Sequence, residues 1–517
     1  MSTEEVETTA PPNKVEGKLD TTEHPDESSK FGFWSAFGFN TMMMFGTGPF
    51  ISIPYTVASV EPAGSHALVG YSIALVACVC DAFICGELGS MFPYSGGSAT
   101  YLKHLYGENT FGQFAAFIFL FQFLVAGPAE IASGFIAIAE YLIYFDTEVL
   151  GYGARVGISL GALAISTLLL LMSNKEIAWV TVTLAGITIA AVVVSVIVGF
   201  AKFEPSFLDA PSDAFEGSAG TVLKSLAAAT RFGVYDMTGY YDVCFMGDEV
   251  KNPRKIIPLS CISTAVVIGI VYLIVYIAVL GVVDWRDIAP IYSDDSDEDQ
   301  IGIMSIFYEK TINKGFAQFF TIVVVITIFG SVYSMMAGFQ HLLASGAKDG
   351  FFFSIFAKRH PKTDIPYVAL LTLSVLSAAW CFFSLDTVID AMTTLLVFVQ
   401  FIGQAVGLLY YRWKTPYDEL PEGWRMPLYP LPVIIQIILF FYIFITSPSW
   451  ALYGDDPILD LCVLFLIFGG ILFLIRAKVK NIWPFADPVA ITEGDEKVIE
   501  EEPEPVTVEK EVEKDVE

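Results

Sequence analysis

The chain has 517 residues, of which 54% are hydrophobic and only 16% charged, with a mean hydropathy of +0.60. A soluble protein of that length could not cover its surface with so little charge, so the composition points to a polytopic membrane protein. The net charge of −28, from 56 acidic against 28 basic side chains, excludes a nucleic-acid binder that works through a basic surface.

Residues 1–31 are polar and hold eight acids against three lysines, with no basic stretch leading into an apolar core. They read as a disordered acidic cytosolic tail rather than a cleaved signal. A bilayer core of ~30 Å takes about 20 apolar residues per helix. On that rule twelve runs qualify: 33–59, 66–91, 110–145, 152–172, 176–201, 222–246, 257–283, 315–345, 366–384, 387–411, 429–447 and 456–477. The fold class expected is therefore an all-α polytopic membrane protein with twelve transmembrane helices. Residues 32–480 form one transport-sized domain and 481–517, with thirteen acids against three lysines, a second acidic cytosolic tail. An even number of spans puts both termini on one side. Fifteen Lys and Arg fall in segments on that side against six on the other, which makes it the cytoplasm.

The first run contains Phe45-Gly46-Thr47-Gly48-Pro49-Phe50 with a further Pro54, and the sixth contains Phe232-Gly233-Val234-Tyr235-Asp236-Met237-Thr238-Gly239-Tyr240. A glycine costs about 1 kcal/mol in a helix interior and a proline about 3, so both helices are expected to break there. One reading is ordinary kinking or close helix contact through small residues. The other is functional: unwound backbone at membrane depth is tolerated only where it lines a cavity, and breaks at corresponding places of two five-span halves point to a transporter's substrate site. Half-helix N-termini suit a carboxylate and freed carbonyls an ammonium, which together make a zwitterion site.

Four segments then resemble the amino acid, polyamine and organocation (APC) superfamily of permeases. They are Gly46 to Phe50; Gly86-Glu87-Leu88-Gly89 through Gly96-Gly97 with Tyr101; Thr238-Gly239-Tyr240 with Gly247-Asp248-Glu249-Val250-Lys251-Asn252-Pro253; and Phe329-Gly330-Ser331-Val332 with Gly346 to Gly350, His360-Pro361 and Ile365-Pro366. The resemblance covers roughly residues 33–480 and is closest to the eukaryotic L-type amino acid and polyamine transporters. It implies a LeuT-like fold with a 5+5 inverted repeat (spans 1–5 and 6–10), two extra helices, and alternating access around the broken spans. By the same resemblance the backbone of Gly46, Thr47 and Gly48 would meet a substrate carboxylate. Carbonyls near Phe45 and from Gly233 to Asp236 would meet its amino group, and Tyr235, Met237 and Thr238 would set selectivity. Pro49 departs from the usual aliphatic residue and supplies no N–H. That keeps a polyamine permease as the alternative to an amino acid transporter.

Ionisable residues inside a membrane are functional candidates. Asp236 could meet a substrate ammonium or a proton, or pair with Arg231; Glu130, in the third run, is the second candidate. Glu249 is expected to pair with Arg254 or Lys255. Hydroxyls at Ser331 and Ser334 in span 8 and Thr188 in span 5 mark a possible sodium site, with a proton on Asp236 or Glu130 as the other coupling ion. The seven cysteines contain no Cys-x-x-Cys pair, so no metal or cofactor is expected. An integral-membrane enzyme would need convergent nucleophile and base groups, and no such motif is present. A non-transporting nutrient sensor and a channel complete the alternatives. The expected partners are a small-molecule amino acid or polyamine and the lipid of, most simply, the plasma membrane. The outer loop between spans 7 and 8 collects Asp294, Asp295, Asp297, Glu298 and Asp299, a negative mouth that would concentrate cations.

Overall fold

The computed structural model describes residues 30–45, 48–108, 111–145, 151–172, 174–216, 218–292, 302–350, 352–361, 363, 365–446 and 458–479. Both acidic tails, apart from Lys30 and Phe31, lie outside these residues, as do Gly46, Thr47 and the acids of 294–299.

Seventeen α-helices follow one another in the described residues. In chain order they are α1 (Phe33–Met44), α2 (Gly48–Ala58), α3 (Ala67–Met91), α4 (Gly97–Tyr106), α5 (Phe111–Ile143), α6 (Tyr152–Met172), α7 (Asn174–Ala201), α8 (Ala219–Met237) and α9 (Pro253–Leu280). They continue with α10 (Trp285–Ile288), α11 (Ile303–Thr311), α12 (Lys314–Lys348), α13 (Tyr367–Trp380), α14 (Leu385–Leu396), α15 (Gly403–Lys414), α16 (Leu431–Ile445) and α17 (Ile458–Val479). A π-helical turn, Val397–Ile402, joins α14 to α15 without interrupting the span. Among the described residues, seven stretches are long and apolar enough to cross a membrane, namely 67–91, 111–143, 152–171, 253–280, 314–348, 385–414 and 460–479. Three shorter apolar helices cover 186–201, 367–380 and 431–445. The first and sixth runs are divided between elements by non-helical backbone, unlike the run through α14, the π-helical turn and α15. No named strand occurs among the described residues; one isolated parallel bridge ties Phe31 to Val250.

The helices fall into two packed groups. In one, α3 lies against both α8 and α9, α1 against α9, and α2 against α8. In the other, the long α5 gathers α6, α12, α13 and α14 around it. Prolines inside the spans are tolerated because side chains take over the carbonyls they leave bare. Pro54 frees the carbonyl of Phe50, which accepts from the Tyr141 hydroxyl. Pro258 frees that of Arg254, which accepts from Ser90 Oγ at 2.8 Å. The buried Glu87 near the end of α3 is likewise partnered: it lies 2.5 Å from Arg412 and 3.7 Å from Arg425, and accepts from the backbone N–H of Met426.

Candidate functional site

Span 1 breaks where its glycines predict. The chain leaves α1 at Phe45, whose φ/ψ of −76°/122° is extended, and helix resumes at Gly48. Gly48 runs against the ring of Tyr272, which a Cβ there would meet at 3.0 Å. Pro49 stands in the first turn of α2, where its missing N–H is one of the helix's orphan donors in any case, so it costs the helix little. The carbonyl of Met44, at the end of α1, accepts from the Tyr272 hydroxyl at 2.6 Å.

Span 6 breaks later than expected. Gly233, Tyr235, Asp236 and Met237 are all helical, and α8 ends only at Met237. Gly233 is a packing residue, since a Cβ there would lie 2.6 Å from that of Ala74 and 3.1 Å from the ring of Tyr71. The residues from Gly233 to Asp236 are therefore helical, and the carbonyls of Val234 to Asp236 are those of the last turn, where that of Tyr235 accepts from the Thr238 N–H. The unwinding runs over Thr238 to Tyr241, followed by a 3-10 helix, Asp242–Glu249. Thr238 closes α8 with its own hydroxyl, donating to the Tyr235 carbonyl at 2.7 Å. Gly239 has φ +109°, and a Cβ on it would lie 2.9 Å from the backbone C of Met43 and N of Met44. The two breaks thus touch each other through main chain. Asn40, fully buried on α1, locks them together: its Nδ2 donates to the Tyr240 carbonyl at 2.5 Å and its Oδ1 accepts from Val243 N–H at 2.8 Å.

Around this junction stand the acids. Glu130 of α5, 9% exposed, has Oε1 3.5 Å from the Thr238 hydroxyl. Its neighbour Ser133 shares a hydrogen bond with the Tyr235 hydroxyl at 2.8 Å. Asp236 turns the other way, to α2, α3 and α9. Its Oδ2 accepts from Ser52 Oγ at 2.5 Å, from Tyr71 OH at 3.0 Å and from Tyr276 OH at 3.5 Å. The pairing of Asp236 with Arg231 does not occur: Arg231 Nε lies 2.5 Å from Asp390 Oδ1 on α14, both side chains buried. Nor does Arg254 pair with Glu249; it reaches Glu422 at 2.8 Å, and Glu249 binds the N-terminal segment through its carbonyl, which accepts from Phe31 N–H. Ser334 donates to its own helix at the Gly330 carbonyl, while Ser331 Oγ is buried without a hydrogen-bond partner, and Thr188 is buried on α7.

Asn40, Tyr272, Ser52, Tyr71 and Tyr276 are the positioning residues that sequence reasoning passed over. Tyr272 and Tyr276, four apart on one face of span 7, and a lone Asn in an otherwise apolar first run were the available signals. Between the span-1 break and α7 and α9 lies a cavity of about 10 Å³, lined by Phe45, Gly48, Pro49, Phe50, Val192, Tyr272 and Val275. That holds one water at most.

The sequence pattern of the amino acid permease family matches residues 31–472. The chain belongs to that family. Three relatives give the range of the match. A cystine/glutamate transporter of Homo sapiens is 23% identical over 423 residues, covering 80% of this chain and 78% of the relative. The glutamate/serine transporter AimA of Bacillus subtilis is 25% identical over 470 residues, covering 85% and 81%. Cationic amino acid transporter 4 of Mus musculus is 24% identical over 398 residues, covering 72% and 58%. All three are transporters rather than enzymes, and this amino acid permease family member is an integral, multi-pass membrane protein.

Proposed function

We propose that this permease moves amino acids across a membrane by alternating access, with the substrate held where spans 1 and 6 unwind. The observation that carries the proposal is the main-chain contact between the breaks, Gly239 against Met43 and Met44, with Asn40 bridging them. The N–H groups at the start of α2 suit a carboxylate, and the carbonyls of the Thr238–Tyr241 segment, with Glu130 beside them, suit an ammonium. Selectivity would come from Thr238, Tyr235 and Met237 on this side of α8. The cavity of about 10 Å³ beside the span-1 break is smaller than any amino acid, so loading would require the helices around the breaks to move.

The same reading takes the divided first and sixth runs together with the ten helices above as twelve spans, arranged as a 5+5 inverted repeat in a LeuT-like fold with two extra helices. Grouping of the divided spans with α3 and α9 supports it, because those helices would rock against the α5-centred group. Both termini would be cytoplasmic, the acidic tails solvated, and the membrane the plasma membrane. Polyamine transport is the second reading, favoured by the buried carboxyl of Glu130 near the break and by Pro49.

Uptake into proteoliposomes of the purified protein, with each amino acid and spermidine as competitors, tests both. Saturable uptake of an amino acid that unlabelled amino acids suppress supports the first reading, and suppression by spermidine alone supports the second. If nothing moves but a ligand still binds, the protein is a sensor and the transport proposal fails.

A further inference from the structure

Asp236 lies in the last turn of α8, is 2% exposed, and makes no ion pair among the described residues. Its two oxygens are treated differently. Oδ2 accepts from three hydroxyls contributed by three different helices, whereas Oδ1 is buried with no hydrogen-bond partner. A carboxylate in a bilayer interior without a counter-charge is costly, and hydroxyls on one oxygen offset only part of that cost. A proton on the carboxyl removes the charge that bare Oδ1 leaves uncompensated. The cage also leads somewhere. Tyr276 OH lies 2.8 Å from Ser52 Oγ and 2.8 Å from Thr56 Oγ1, so the hydroxyls form a row along α2 from Asp236 to Thr56, whose carbonyl accepts from half-buried Ser59 at 2.9 Å.

Among the described residues, the groups facing Asp236 leave no rival cation. They are Ser52 and Thr56 on α2, Tyr71 on α3, and Tyr272 and Tyr276 on α9. On its own helix Arg231 is committed to Asp390 and to the Thr446 carbonyl, with Tyr442 of α16 beside it, and Tyr235 is bonded to Ser133.

We propose that Asp236 carries the proton that couples this permease to a proton gradient, loaded along the Thr56–Tyr276–Ser52 hydroxyls. The inference rests on the transport reading above and names its driving ion. One proton from solution is relayed from Thr56 to Tyr276 to Ser52, each hydroxyl passing one proton on and receiving one, and Ser52 delivers it to Oδ2, where the O–H bond of the carboxylic acid forms; the same O–H bond breaks when the proton leaves on the far side. No other bond changes. Coupling follows from position. Asp236 stands two residues before the span-6 break and Ser52 four residues after the restart of span 1, so movement of either half-helix separates the pair and changes the hold on the proton.

Infrared titration of the full-length protein in lipid is the test. A carboxylic-acid carbonyl band is expected that fades as pH rises, is missing in Asp236→Asn, and shifts its midpoint in Ser52→Ala and Tyr276→Phe. An inward proton gradient of one pH unit is expected to raise initial uptake several-fold, and that gain to be lost in Asp236→Asn. The proposal is overturned if the band and its midpoint are unchanged in Asp236→Asn. It is equally overturned if a sodium gradient drives uptake while a proton gradient does nothing. Should nothing be transported, the transport reading falls separately, and a band that is the same in wild type and Asp236→Asn still decides against the carboxyl as a proton site.

Discussion

Gly239 and Asn40 carry the junction between the two broken helices. With φ at +109° and two main-chain atoms of span 1 only 2.9 Å from where a Cβ would stand, Gly239 has neither the conformational freedom nor the space for a side chain. The clashing atoms are backbone, so no rotamer change relieves them. Gly239→Ala should therefore destabilise the protein by about 1–3 kcal/mol from backbone strain alone, and lower transport further by forcing the breaks apart. A melting measurement in detergent alongside uptake checks this; an unchanged melting temperature would show that the two segments do not touch. Asn40→Ala leaves the Tyr240 carbonyl and the Val243 N–H bare, at a cost of about 1–3 kcal/mol. Asn40→Asp keeps the acceptor for Val243 but sets a fully buried carboxylate against the Tyr240 carbonyl, so its melting temperature should fall at least as far as that of Asn40→Ala. A melting temperature equal to wild type in Asn40→Asp would show that the side chain does not face the Tyr240 carbonyl. The role of Asn40 was hard to read in sequence because a single amide in an apolar run satisfies backbone that lies 200 residues away.

At the level of helices, span positions were legible because burial in lipid forces long apolar runs. The expected 66–91, 152–172 and 429–447 correspond to α3, α6 and α16 within a few residues. The break in span 1 was legible as well, since the chain turns extended at Phe45 and helix resumes at Gly48. The break in span 6 was misplaced because composition does not say what a glycine is for. Gly233 admits close packing on α3, and only the later Gly239 meets a positive φ. The short α4, α10 and α11 went unread, being too short to cross a bilayer. Between elements, the buried Arg231–Asp390 pair ties α8 to α14, with Arg231 also donating to the Thr446 carbonyl after α16. Arg231→Met alone should destabilise by about 3–5 kcal/mol, because it strands a buried carboxylate, and Arg231→Met with Asp390→Leu should recover most of that loss. Thermal unfolding of the three variants decides it; a double variant no better than the single one would show that the pair is not what the two helices share.

The whole molecule consists of two helix groups and charge that is concentrated outside them. Of the net −28, about −5 belongs to residues 1–31, −10 to 481–517 and −6 to 284–300, which leaves −7 for the rest. The sequence therefore locates the charge, while its bearing on transport lies outside the described residues for both tails and for the 294–299 acids. The structure adds a second tie within the group that holds both breaks: Phe31, just before α1, exchanges backbone hydrogen bonds with Glu249 and Lys251 at the exit of span 6. With Asn40 and Gly239 this joins spans 1 and 6 at two levels. The central claim is that substrate sits at both breaks at once. Hydrogen–deuterium exchange on the reconstituted protein, with and without the amino acid that it takes up, measures this directly. Slower exchange is expected together in peptides covering 42–50 and 236–244, with the α5-centred helices unchanged. Protection of only one break, or of neither while the substrate is still transported, would contradict the account.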